Sequence, residues 1–120
     1  MRETVTRGSA NSEYWFHEGC HILEFSNRPE DPAVSITRAR VAPGGTTRWH
    51  RLHGITERYL VLEGAGLVEV GEGLREAVGP GDTVHIPPLV RQRITNTGDT
   101  DLVFLAICTP RFEETAYEAL

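Results

Sequence analysis

The 120-residue sequence contains no lysine, so all twelve of its basic residues are arginines. Without a lysine amine the chain cannot form a Schiff base with a carbonyl substrate, and it lacks the lysine of a phosphate-binding loop. This absence excludes pyridoxal enzymes, aldolases that act through a lysine, and P-loop nucleotide hydrolases.

Cysteine and long apolar runs are also scarce. The chain has two cysteines, Cys20 and Cys108, which are too few for a disulfide framework and lie in apolar strand-like segments. No apolar run approaches the ~20 residues of a membrane span, and the N-terminus lacks the apolar segment of a signal peptide. The sequence therefore predicts a cytoplasmic protein with buried, reduced thiols and no membrane partner.

Basic charge is limited as well, because 17 acidic residues outweigh the arginines and give a formal net charge of −5. A protein that binds nucleic acid needs a basic field to neutralise phosphates, so we expect no nucleic-acid partner. The length fits one domain, and a hydrophobic content of 39% is that of an ordinary globular protein.

Short apolar runs separated by glycine and proline dominate the sequence from Cys20 onward. Their spacing of about eight to twelve residues is typical of an all-β sandwich or barrel. The predicted strands are Cys20 to Ser26, Ala33 to Val41, Thr46 to His50, Glu57 to Leu62, Gly66 to Val70, Leu74 to Val78, Thr83 to Ile86, Val90 to Thr95 and Leu102 to Thr109.

The two ends of the chain differ from this pattern. Residues 1–13 are polar and aperiodic, and we expect them to form a flexible arm before a barrel over residues 14–111. In the last nine residues Phe112, Ala116 and Leu120 are spaced four apart, which predicts a short C-terminal helix over residues 112–120.

Two segments of the central region carry a family resemblance. The first runs from Gly44 through His50 and Glu57 to Gly64, and the second runs from Gly81 to Asn96. Both resemble the two motifs of the cupin superfamily, small RmlC-like barrels of the jelly-roll type. The resemblance implies an all-β, cupin-type jelly-roll barrel that binds a small molecule inside.

In cupins, two histidines and a glutamate of the first motif and a histidine of the second hold a divalent metal. With the longer spacer of the first motif, His50 and Glu57 are ligands, and Leu52 stands where the second histidine belongs. With the shorter spacer, His53 becomes the second histidine and Arg51 replaces the first.

The second motif has Gln92 in place of its histidine. The resemblance thus implies a divalent transition metal (Fe, Mn, Ni, Zn or Cu) held by His50, Glu57 and Gln92, with His53 as an alternative ligand. In the competing interpretation, His50, Glu57 and Gln92 form a hydrogen-bonded polar network without a metal.

Residues beside the motifs are candidates for ligand contact. Since side chains alternate along a strand, Tyr59 shares a face with Glu57, and Leu52 shares one with His50. Arg38 and Arg40 share a face of their own strand, and guanidinium groups bind carboxylates and phosphates in a bidentate manner. We therefore expect Leu52, Tyr59, Arg38 and Arg40 to contact a ligand, which would be anionic if the arginines bind it, and we take Tyr59 and Arg40 as catalytic candidates.

Two functions remain open from the sequence. One is a metal-dependent enzyme of the dioxygenase, isomerase or lyase type that acts on a small acid or a sugar-derived substrate. The other is a metal-free cupin that binds or senses a ligand without catalysis. In both cases we expect a homodimer formed through the outer face of the barrel. The prediction rests on Leu60 and Leu62, which alternate with the inward residues of their strand and therefore point outward.

Overall fold

The computed structural model describes residues 1–120 and consists almost entirely of antiparallel strands in two facing sheets. A six-stranded sheet has the order β1-β2-β3-β10-β5-β8, and a five-stranded sheet has the order β11-β4-β9-β6-β7. The strands are β1 Tyr14–Phe16, β2 Cys20–Ser26, β3 Ser35–Val41, β4 His50–Leu52, β5 Thr56–Glu63, β6 Gly66–Val70, β7 Leu74–Val78, β8 Thr83–Ile86, β9 Gln92–Asn96, β10 Leu102–Thr109 and β11 Tyr117–Ala119.

Strict alternation of side chains builds the core between the two sheets. In β5, Glu57, Tyr59 and Val61 are buried while their neighbours are not, and β6 and β9 follow the same period of two. The main core cluster contains Cys20, Ala39, Val41, Tyr59, Val61, Val68, Val70, Val84, Ile86, Ile94, Leu102 and Phe104.

The predicted all-β jelly roll is confirmed, and five strands (β2, β6, β7, β8 and β10) have the predicted bounds. The segment from Thr46 to His50 departs from its prediction, because only His50 belongs to a strand. Thr46 makes one isolated bridge to Thr95, and the N–H of Arg48 donates to the carbonyl of Glu18 at 2.6 Å instead of to a neighbouring strand.

The predicted C-terminal helix does not form. Residues 112–120 contain one 3-10 turn, Glu114–Ala116, followed by strand β11, which pairs with β4. A helix of nine residues is marginal by itself, whereas β4 without β11 would leave a row of backbone groups unpaired. The ion pair between Arg51 and Glu118, at 2.9 Å, adds to this pairing across the two strands.

The N-terminal segment ends in a 3-10 turn, Ala10–Ser12, beside β2. The next residue, Glu13, forms ion pairs with Arg38 and Arg40 on the outer face of β3. The flexibility of the arm that precedes this contact stays a prediction. None of the helical turns has the length and apolar character that crossing a bilayer requires.

Candidate functional site

A cleft opens between the inner faces of four strands of the six-stranded sheet, β2, β3, β5 and β10. Its inner volume is small, about 50 Å³, and the space rises to about 500 Å³ when the open solvent at its mouth is included. Most of its wall is apolar, and three glutamates supply the charge, which is the usual profile of a small-molecule site. The lining residues are Phe16, Glu18, Ile22, Glu24, Thr37, Ala39, Glu57, Tyr59, Phe104, Ala106, Cys108 and Phe112.

His50, the first residue of β4, lies behind this cleft and is only 1% exposed. Its Nδ1 lies 2.7 Å from the carbonyl oxygen of Arg48, and its Nε2 lies 3.0 Å from Oε1 of Glu18. Tyr117 of β11 stacks on the imidazole, with ring centroids 5.1 Å apart and an angle of 18° between the planes. The ring is therefore fixed at both nitrogens and on one face.

Both nitrogens of His50 face oxygens that accept hydrogen bonds. A carbonyl oxygen cannot donate, so Nδ1 carries a proton, and Nε2 shares a second hydrogen bond with the carboxyl group of Glu18. Burial alone would lower the pKa of His50, but the hydrogen bond and negative charge of Glu18, together with the Arg48 carbonyl, outweigh burial and raise this pKa. His50 and Glu18 thus form a buried, hydrogen-bonded imidazole–carboxyl pair.

Glu18 is the site residue that the sequence analysis missed. It lies in the turn between β1 and β2, where its backbone carbonyl accepts the N–H of Arg48. The next residue, Gly19, has φ +108°, and a Cβ at this position would lie 3.3 Å from the carbonyl oxygen of Thr46. A glutamate before a turn glycine marks a hairpin, but no periodicity in the sequence links it to His50.

Glu57 of β5 is 8% exposed and borders the cleft. The thiol of Cys108 lies 3.8 Å from its Oε2, whereas Oε1 has no hydrogen-bond partner within 3.5 Å, although the carboxyl group neighbours the Gln92 amide. Burial, and then the negative charge of Glu18, raise the pKa of Glu57 to about 7, although His50, the Gln92 amide and Cys108 act in the opposite direction. A carboxyl group of this kind changes protonation state near neutral pH.

Tyr59 and Gln92 connect the two sheets beside Glu57. The Tyr59 hydroxyl, on β5, donates to Oε1 of Gln92 on β9, and Nε2 of Gln92 has no partner. Burial raises the pKa of Tyr59 well above its usual range, with the charge of Glu57 in support. Tyr59 is therefore a hydrogen-bond donor at neutral pH and not a base.

Two other candidates from the first motif do not reach the cleft: Leu52, predicted to contact the bound molecule, and His53, predicted as a metal ligand. Leu52 is buried in a separate small cluster with Ile55 and Cys108. The side chain of His53 is 54% exposed, and its Nε2 lies 2.5 Å from Oε1 of Glu118. The structure thus brings His50, Glu57 and Gln92 together and leaves His53 at the surface.

Arg38 and Arg40 lie on the outer face of β3, opposite to the cleft-lining Thr37 and Ala39. Both bond Glu13, at 3.2 Å from Arg38 and 2.7 Å from Arg40, and Arg40 also bonds Asp101 at 3.3 Å. Their guanidinium groups are therefore paired with carboxylates of the chain itself and do not line the cleft.

Comparison with known proteins places this geometry in a family. The sequence matches the family described as Cupin domain (Cupin_2) over residues 37–108, well over half of the chain. It is 34% identical over 86 residues to the uncharacterized protein MJ1618 of Methanocaldococcus jannaschii, a match that covers 72% of this chain and 68% of that one. The chain belongs to the cupin superfamily.

Several solved structures share the fold. The nucleoside dehydratase Pac13, from Streptomyces, superposes with a TM-score of 0.79 at 16% identity over 98% of this chain and 92% of that chain. A predicted oxalate decarboxylase of Thermotoga maritima gives 0.78 at 23% identity over 89% and 99%. KdgF from Halomonas gives 0.75 at 17% identity over 86% and 91%. At these identities the likeness extends to the fold alone.

Cupins commonly bind divalent metals, but the side chains present here do not fit such an ion. No group of three histidine, cysteine, aspartate or glutamate side chains is arranged to hold a metal. Nε2 of His50 would have to give up its Glu18 partner before it could ligate a metal, because the ion binds only a free, deprotonated nitrogen. The amide oxygen of Gln92 already accepts a hydrogen bond from the Tyr59 hydroxyl. Among His50, Glu57 and Gln92, only Oε1 of Glu57 is an atom that could ligate a metal and has no hydrogen-bond partner.

Proposed function

We propose that this cupin binds a small organic molecule in the cleft between β2, β3, β5 and β10 and that Glu57 transfers a proton to or from it. The chemistry would be of the lyase or isomerase type, which needs proton transfer and no oxidant. The observation that carries the proposal is the buried carboxyl group of Glu57, with one oxygen unpartnered, at the wall of an apolar cleft.

The environment of Glu57 supports an acid–base role. A general acid or base works best when its pKa lies near the working pH, and burial next to Glu18 raises the pKa of Glu57 to about 7. The apolar wall around it excludes water, which strengthens the interaction of the carboxyl group with a bound molecule.

The neighbouring polar groups support the same function by holding the site rigid. The hydrogen bond from His50 fixes the carboxyl group of Glu18 close to Glu57, and the Tyr59–Gln92 bond joins the two sheets behind it. In this proposal Tyr59 is a positioning residue, and Glu57 is the group that touches the ligand.

The similar structures are compatible with an enzyme. The Pac13 structures include complexes with uridine, and Pac13 is described as a nucleoside dehydratase. Dehydration is a reaction of the class proposed here, because it removes a proton and a hydroxyl group. We carry over only this reaction class and not the nucleoside.

The second candidate is a divalent-metal enzyme. It is favoured by the proximity of His50, Glu57 and Gln92 and by the common binding of divalent metals in cupins. Metal analysis of protein purified without chelator discriminates between the two. We expect well below one equivalent of any transition metal and no change of melting temperature with a chelator. A full equivalent of one metal, with a melting temperature that falls on chelation, would replace the proposal with the metal enzyme.

The direct test is a screen by NMR with a mixed set of small amines, alcohols, sugars and carboxylates. We expect at least one compound to shift resonances of the cleft residues while the outer face of β3 stays unchanged. In the variant Glu57→Gln we expect the same compound to bind differently, whereas Glu63→Gln, on the exposed end of the same strand, leaves its affinity unchanged. Binding of every compound outside the cleft would overturn the proposal.

A further inference from the structure

We propose that the cleft selects a small organic cation, namely a primary amine on a slender apolar body, and rejects anions. This inference rests on the proposed function and names the class of ligand for the same site. It is the opposite of the anionic ligand that the arginine-rich sequence predicts.

The charged side chains that line the cleft are all glutamates, and the basic group nearest to them, His50, lies behind the wall and pairs with Glu18. Glu18, Glu24 and Glu57 line it, and no arginine or histidine is among the lining residues. Two basic side chains lie near the mouth, but both are paired: Arg111 bonds Glu113 at 2.9 Å and His17 lies 3.4 Å from Glu114. A concave surface with charge of one sign focuses the field and attracts ions of the opposite sign.

The unpartnered oxygen of Glu57 is a second and independent indication. A buried carboxylate oxygen without a donor is costly, and natural structures rarely leave one unsatisfied. The terminal torsion of glutamate is broad, so the carboxyl group can turn either oxygen toward the cleft while Cys108 bonds the other. An ammonium group brings three donors and no acceptor, and it supplies both the missing hydrogen bond and the missing positive charge.

The apolar wall determines the rest of the ligand. Phe16, Phe104 and Phe112 contribute aromatic rings, and Ile22, Ala39 and Ala106 complete a narrow apolar surface. Aromatic faces attract cations through their quadrupole, and the hydrocarbon body of an amine gains free energy by leaving water. A slender alkyl amine matches both properties, whereas a carboxylate meets three glutamates and no basic lining residue.

The arginines do not offset this charge. Arg38 and Arg40 point to the other side of their sheet and are held by Glu13 and Asp101. An anion bound at these arginines would have to displace carboxylates of the protein and would not enter the cleft.

The test compares three probes of similar size: pentylamine, 1-pentanol and pentanoate. Binding is measured by calorimetry at pH 8.5, where Glu57 is ionised and the amine is protonated, with NMR shifts to locate the probe. We expect pentylamine to bind at least about tenfold more tightly than 1-pentanol, because a charge-assisted hydrogen bond contributes more than a neutral one, and we expect pentanoate not to bind.

The variants isolate the charge of Glu57. In Glu57→Gln we expect the affinity for pentylamine to fall about tenfold or more and the affinity for 1-pentanol to stay within about twofold. The control Glu63→Gln should change neither affinity. The comparison of the three probes on the unaltered protein needs no variant, so it decides the inference even if Glu57→Gln folds poorly.

The outcomes separate this inference from the proposed function. If 1-pentanol binds in the cleft as tightly as pentylamine, or pentanoate binds best, the choice of a cation is wrong and the small-molecule site stands. If pentylamine binds only outside the cleft, or none of the three binds, the inference is overturned, and binding of a sugar or another neutral compound in the NMR screen would still support the site.

Discussion

Two amides on the same face of β9 have opposite surroundings. Asn96 is 2% exposed, and its Nδ2 donates to the carbonyls of Val41 and Thr100 while its Oδ1 accepts the N–H of Gly98. Gln92, four residues earlier, is 0% exposed, yet its Nε2 has no partner. One end of the strand is saturated with hydrogen bonds, and the other end keeps capacity for a ligand.

The two ends of the barrel also differ in the residue that occupies a left-handed backbone conformation. At the saturated end the residue is Gly64, with φ +86°, where a Cβ would lie 2.6 Å from the carbonyl oxygen of Asp101. In the loop before Gln92 the residue is Leu89, with φ +67°. Two of the four buried polar atoms without a partner belong to Glu57 and Gln92, beside the cleft, where function can outweigh stability in selecting a residue.

The largest expected effect is on Asn96. Asn96→Ala removes the partner of one buried and two half-buried backbone groups, and we expect a loss of about 3 kcal/mol in the free energy of unfolding. Gln92→Met, the matched change at the other end, should cost about 1 kcal/mol, because the lost Tyr59 bond is offset by removal of an unpartnered amide. Urea unfolding of both variants measures the difference, and equal losses would contradict the contrast.

A somewhat smaller effect concerns Glu57 and pH. Because its pKa is raised to about 7 in the folded state from the ordinary 4.5, the folded protein holds a proton that the unfolded chain loses, and stability falls as the pH rises from about 4.5 to about 7. Glu57→Gln abolishes this dependence, so its stability relative to the parent should increase by up to about 3 kcal/mol between pH 4 and pH 8.5.

Urea unfolding at several pH values measures this change, with Glu63→Gln as the control for loss of an exposed carboxylate. If the parent and Glu57→Gln follow the same pH profile, Glu57 does not titrate near neutral pH, and its proposed acid–base role would fail with it.

The smallest expected effect is at Leu89, which is 50% exposed and contributes little packing. Leu89→Gly relieves the left-handed strain and should stabilise the fold by about 1 kcal/mol. Leu89→Ala keeps the Cβ, and we expect it to bring no gain. Melting temperatures of the two variants test this, and a lower value for Leu89→Gly would show that the leucine side chain holds the loop.

The oligomeric state of the protein is a further sequence prediction. Leu60 and Leu62 do lie on the outer face of β5, where Leu62 is exposed. The homodimer that these leucines predict stays a prediction, and the mass of the protein in solution decides it.

Much of the barrel could be predicted because it depends on local patterns. Glycine and proline turns separate the strands, and the period of two gives the inward face of Glu57, Tyr59 and Gln92. Five strands were predicted with their bounds because each lies between such turn residues. The direction of Arg38 and Arg40 could not be predicted, since alternation fixes which residues share a face but not which face meets the other sheet.

The cupin frame, and the three polar residues His50, Glu57 and Gln92 at its motif positions, follow from the amino-acid sequence alone. The chemical environment of these residues depends on the fold. It brought Glu18 from a distant turn to His50, turned Arg38 and Arg40 away, and made the C-terminal residues a strand. The physical reason is that hydrogen bonds and charges act through space, so the protonation of His50 and the pKa of Glu57 depend on partners that lie far away in the sequence.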